Sequence, residues 1–132
     1  MDPKKLFYHL RSQGYNFFTG VPDSALKNFQ DALEESDVPN IIATHESQAV
    51  AIAVGALLAG KKSCVYMQNS GLGNTINPLT SLCLPYDLCP HLVIGHRHTL
   101  PQHKIMGEID EDLLSLVGYT NYTLVRGSNN VK

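Results

Sequence analysis

The apolar run Cys64-Val65-Tyr66-Met67, opening directly onto Gln68-Asn69-Ser70-Gly71-Leu72-Gly73-Asn74, constrains this chain more than any other stretch. A strand without polar alternation is covered on both faces, which belongs to a parallel sheet wrapped by helices. Ligands of such sheets sit at the carboxyl ends of the strands, where a helix that opens there turns unpaired N–H groups towards an anion or a polar ring. Gly71 and Gly73 lack a Cβ, so another backbone or a flat ligand can come close. Read alone, the same glycines also serve an ordinary strand-to-helix turn, and both readings stay open.

The remaining segments fit around this strand. Leu6, Phe7 and Leu10 recur at helical spacing over residues 4–13, and Gly14 stands where that helix stops. Tyr15-Asn16-Phe17-Phe18-Thr19 is β-prone and runs into Gly20-Val21-Pro22-Asp23-Ser24, where Asp23 or Ser24 can cap a helix over roughly 24–35. Ile41-Ile42-Ala43 is a short strand, and residues 45–59 form a helix that is apolar almost all round, as a core or interface requires. A helix over Asn74–Leu84 must place Pro78 in its first turn or kink there. His91-Leu92-Val93-Ile94-Gly95 is a second buried strand, and it leads into a loop over 96–104. Glu108-Ile109-Asp110-Glu111-Asp112 supplies acids to the first turn of a helix closed by Gly118, and Tyr122–Val125 is the last strand.

Strand alternating with helix predicts an α/β fold, a parallel sheet with helices on both faces, in one domain over residues 1–132. Loops 20–24, 44–46, 68–74 and 96–104 then gather at one sheet edge. No run approaches the ~20 apolar residues of a membrane span, and the amino terminus does not read as a secretory signal, so the cytoplasm is the expected compartment. A formal net charge of −2 gives no general attraction to nucleic acid or anionic lipid. Cys64, Cys83 and Cys89 lack CxxC spacing and read as reduced, packed thiols. His91, His96, His98 and His103 match no usual zinc spacing, so no metal site is expected of this chain.

Taken in order, Gly20-Val21-Pro22-Asp23-Ser24, His45-Glu46-Ser47-Gln48 with the small-residue helix that follows, Gln68–Asn74 with Asn77-Pro78-Leu79, and Pro101-Gln102-His103 resemble the pyrimidine-binding domain of thiamine diphosphate enzymes, in particular the decarboxylases of 3-phosphonopyruvate and 3-sulfopyruvate. The resemblance implies thiamine diphosphate and Mg2+ as cofactors, and Glu46 as the acid that meets N1′ of the aminopyrimidine. Asn69, Ser70, Gly71, Gly73 and Asn74 would line the cofactor. Pro22, Asp23, Ser24, His96 and Arg97 would face an anionic 2-keto acid, with Arg97 as its oxyanion clamp and His103 as a proton shuttle. For Gly20–Ser24 a plain helix cap, and for residues 96–104 a solvated cationic loop, are the competing readings.

The Gly-Asp-Gly motif that holds magnesium and diphosphate in this family has no counterpart here, since no Gly-Asp pair occurs in the chain. The resemblance therefore implies half of each active site and a partner chain or domain carrying that motif, in a hetero-oligomer or dimer. The helix over 45–59 and the stretch 68–74 are the expected contact surfaces. Pro101-Gln102-His103 leans towards the phosphonopyruvate group and His96-Arg97 towards the sulfopyruvate α subunit. A binding or scaffold subunit that keeps the fold without the chemistry is the alternative.

Overall fold

The computed structural model describes residues 2–126. Five strands, β1 (Phe17–Gly20), β2 (Asn40–Ile42), β3 (Ser63–Gln68), β4 (His91–His96) and β5 (Tyr122–Arg126), form one sheet in the order β2-β1-β3-β4-β5. Every pairing is parallel, so all strands end at the same edge.

Alternation along the central strands explains the two-sided cover. Cys64 and Tyr66 of β3 and Val93 of β4 point into a cluster with α1 (Pro3–Ser12) and α2 (Lys27–Glu35), where Leu6, Phe7, Leu10, Phe29 and Leu33 close over Phe18. Val65 and Met67 of β3 and Leu92 and Ile94 of β4 point the other way, into Ala49, Val50, Ala53 and Val54 of α3 (Glu46–Leu58) and Leu114 of α5 (Pro101–Val117). Each central strand buries both sides, which removes the need for polar alternation. Burial raises the pKa of the Cys64 thiol, and burial with the neighbouring Cys89 pushes that of Cys83 up to about 12. Cys64 and Cys83 are buried and Cys89 half-buried, as packed thiols.

Four sequence expectations are corrected. The helix expected over 24–35 is a 3₁₀ turn, Ser24–Leu26, followed by α2, and Asp23 makes no capping bond because its side chain is used elsewhere. The stretch 68–74 is not a turn before a helix at Asn74. The helical course, α4, begins at Asn69 and runs irregularly over 69–86, from an α-turn at Asn69–Leu72 through a 3₁₀ turn at Gly73–Thr75 to a π-turn at Leu79–Cys83. α5 starts at Pro101, with proline at its first position, so Glu108, Asp110, Glu111 and Asp112 lie along its middle and not in its first turn. Finally, α3 buries only one side: Gln48, Ala51, Gly55 and Leu58 are exposed, and Leu58 is 72% accessible.

Candidate functional site

The strand order sets where a site can form. β1 lies between β2 and β3, so the chain leaves the sheet in opposite directions from the carboxyl ends of β1 and β3, and the cleft between these exits is where open α/β sheets bind ligands. Val21–Asp23, Gln68-Asn69 and His96-Arg97 emerge there, and β2 delivers Thr44–Glu46 beside them.

Glu46 opens α3. His45 holds the entry, its Nδ1 accepting from Ser47 N–H at 3.1 Å, and Gln48 Oε1 accepts from Thr44 N–H at 2.8 Å. The acid is half-buried. Its carboxylate takes the space that a side chain at position 71 would fill: a Cβ on Gly71 would fall on Cγ, Cδ and Oε2 of Glu46. Asn74 Nδ2 donates to Oε1 at 2.9 Å. The glycine thus admits the acid of this same chain, and nothing lies within 4 Å of a Cβ built on Gly73. Asn74, expected to face the cofactor, is turned onto Glu46. Ser70 is exposed and accepts from Gln68 Nε2.

A second, buried polar group lies where β1, β3 and β4 end. Arg97 Nη1 donates to Asp23 Oδ1 at 3.2 Å and to Gln68 Oε1 at 2.9 Å. Asp23 is almost wholly buried, with Oδ2 over Gly95. Burial pushes its carboxyl above the usual carboxylate range, and the Arg97 guanidinium pulls it back only in part. Asn69, fully buried, donates from Nδ2 to Arg97 O at 2.9 Å and to Asp110 Oδ2 at 3.0 Å. His96 Nδ1 lies 2.6 Å from the same Asp110 oxygen. Asp23 Oδ2, Asn69 Oδ1 and His103 Nδ1 are buried without hydrogen-bond partners. Orphaned buried polar atoms are costly and cluster where a ligand, water or proton transfer completes the set.

The structure therefore divides the predicted residues. Glu46, Ser70, Gly73 and Asn74 form an open rim, with Gly71 buried beneath the Glu46 carboxylate. Asp23, Asn69, Arg97 and His103 form an inner polar group, with Pro22 and Ser24 exposed at its mouth. His96 is 4% exposed and paired with Asp110, so it supports the site from behind and does not face solvent as a cation. Arg97 is not a free clamp either; an acid group must share it with Asp23 and Gln68. Residues missed by the sequence reading are Asp110, Gln68 as the partner of Arg97, and Gly107. Buried His103, Asp110 and Leu114, with half-buried Gly107 between them, recur every three or four residues, a stripe visible once α5 starts at Pro101.

A parallel sheet with this edge defines a class. The chain belongs to the family of thiamine pyrophosphate enzymes, N-terminal TPP binding domain, whose profile matches residues 4–112. More particularly, it is 38% identical over 122 residues to the sulfopyruvate decarboxylase subunit alpha of Methanocaldococcus jannaschii, a match covering 89% of this chain and 72% of that one. It is also 38% identical over 97 residues to the corresponding subunit of Methanococcus maripaludis, covering 73% of this chain but 58% of that one. A phosphonopyruvate decarboxylase of Streptomyces viridochromogenes is 39% identical over 115 residues, 81% of this chain and 28% of the relative. Among solved structures, a 2-oxoglutarate:ferredoxin oxidoreductase from Magnetococcus marinus superposes with a TM-score of 0.67 at 19% identity, over 76% of this chain and 18% of that one, a likeness of fold. Among the described residues no helix is long and apolar enough to cross a membrane.

Proposed function

We propose that this chain, as one domain over residues 1–132, is the pyrimidine-side half of a thiamine diphosphate-dependent decarboxylase acting on a 2-keto acid with an acidic group at C3, 3-sulfopyruvate or 3-phosphonopyruvate. The observation that carries the reading is the seat of Glu46, an acid held by Asn74 at an open rim, in space that only a glycine at 71 leaves free. The donor set fits the group: a carboxylate fixed through one oxygen keeps the other for the ring nitrogen of an aminopyrimidine. When bound, the coenzyme supplies the nucleophilic carbon and the electron sink for loss of carbon dioxide.

The residues of this chain orient and exchange protons around it. Glu46 shares a proton with the pyrimidine nitrogen, and its half-burial is completed when a partner covers the rim. Ser70 and Gly73, both exposed, leave the wall low enough for a flat ring, while Gly71 makes room for Glu46. Arg97 meets the distal acid group as a cation already oriented by Asp23 and Gln68. His103, with a free buried Nδ1, moves a proton near Asp23. Magnesium and the diphosphate are held by a partner chain or domain carrying Gly-Asp-Gly, and the exposed small-residue side of α3 and the 70–74 rim form the contact.

The test is reconstitution with a partner chain carrying Gly-Asp-Gly, thiamine diphosphate and magnesium, followed by assay of carbon dioxide release from both keto acids. Turnover of either supports the reading. A correctly assembled, cofactor-loaded complex that turns over neither overturns it.

A further inference from the structure

We propose that Asp110 is a positioning residue, a buried carboxylate that fixes the backbone of Arg97 and the Asn69–Gly71 start of α4 in mutual register; its kinetic consequence rests on the decarboxylase reading above. Asp110 is 2% exposed and lies on α5, far in sequence from the rim it serves. Its Oδ2 receives Asn69 Nδ2 at 3.0 Å and His96 Nδ1 at 2.6 Å, so one oxygen ties the exit of β3 and the end of β4 to α5. With its proton on Nδ1, His96 donates to the carboxyl oxygen that Asn69 also reaches. Oδ1 accepts from Glu111 N–H at 2.7 Å.

Two further contacts carry this grip to Arg97. The second proton of Asn69 Nδ2 goes to Arg97 O at 2.9 Å. From the other side α5 presses on the same backbone: a Cβ on Gly107, one turn before Asp110, would fall on Cβ of His98 and 2.7 Å from Arg97 O. The Arg97-His98 backbone is thus held between Asn69 and Gly107, and the guanidinium departs from that fixed point to Asp23 and Gln68. Two residues beyond Asn69 stands Gly71, against which Glu46 lies. Without the Asp110 carboxylate, Asn69 loses an acceptor and His96 its counter-group, and both sides of the site lose a common reference.

The experiment uses the assembled complex with Asp110→Ala, Asp110→Asn and, as a control, Ser63→Ala, which removes a buried hydrogen bond to Ala53 O at the far end of β3. Hydrogen–deuterium exchange is followed over peptides spanning 69–75 and 96–103, and steady-state kinetics on the keto acid turned over. Loss of a charge-assisted buried bond should raise exchange in both peptides, and KM, by about tenfold in Asp110→Ala, with kcat within about threefold. Asp110→Asn, which keeps one acceptor oxygen, should fall between it and wild type. Ser63→Ala should lower Tm and leave both readouts near wild type. If Asp110→Ala fails to fold, the isosteric Asn variant decides. Unchanged exchange at 96–103, or a KM no different from that of Ser63→Ala, overturns the proposal. If neither keto acid is turned over, the decarboxylase reading falls, and the exchange data alone judge the placing role by the same criterion.

Discussion

Asn74 holds Glu46: its Nδ2 donates to Oε1 at 2.9 Å across 28 positions of sequence, and Gly71 leaves the room in which that carboxylate lies. The relationship turns two glycine-rich-motif residues into the seat of an acid. It also yields the clearest consequences for mutation.

Gly71→Ala should fold, because what the new methyl meets is a flexible Glu46 side chain and alanine is the better helix former by roughly 0.5–1 kcal/mol. The carboxylate must swing away. Turnover of the complex should fall by about a hundredfold, the usual cost of misplacing a reacting group by an ångström or so, with Tm within a few degrees of wild type. A melt by circular dichroism beside the activity assay separates the two effects, and wild-type turnover contradicts the seating.

Asn74→Ala removes one exposed-side hydrogen bond and should lower turnover about tenfold, with little change in stability. Asn74→Asp is expected to be worse, since a like charge beside Glu46 turns its carboxylate away. Equal rates for the two variants would show that the contact does not orient the acid.

Arg97→Ala leaves Asp23 buried without its cation and should cost about 1–3 kcal/mol, measured by urea unfolding. Asp23→Asn in the same chain should recover most of that loss while KM stays high. A double variant no more stable than Arg97→Ala would mean that the pair is not coupled.

Asp23 also gives a pH signature. Its carboxyl is raised in the fold by burial, so the folded protein binds the proton more tightly than the unfolded chain does. Its contribution is fully present below the unfolded value near 3.8 and is lost as pH rises through the folded one. The stability of wild type minus that of Asp23→Asn should therefore grow as pH is lowered from neutrality towards 4.5 or so. A difference that shrinks would mean that Arg97, and not burial, dominates the site.

The parts legible in the sequence are those set by local pattern. The continuous apolar runs at 64–67 and 91–95 mark central strands because a strand buried on both faces carries no polar alternation. That Glu46 opens a helix is legible from the apolar run after it, whereas its bond to Asn74 is not. Residues 96–104 read as a cationic loop because histidines, an arginine and Pro101 cluster there. Pro101 is in fact the first residue of α5, and the helix turns His103 and Asp110 inwards. The pairing of Arg97 with Asp23 spans 74 positions and depends on the order of strands in the sheet, which no local spacing encodes. Asn74 reads as a ligand-facing polar residue until the rim is built and its partner proves to be Glu46.

In the proposed function Glu46 exchanges a proton with the coenzyme that decarboxylates the keto acid. The most direct test of that role is the rate of carbon dioxide release by the reconstituted complex carrying Glu46→Gln, with assembly and Tm checked alongside. The expected result is an assembled complex of unchanged Tm whose turnover falls by at least about a hundredfold, the scale of a lost general acid–base group. Turnover at the wild-type rate would contradict it.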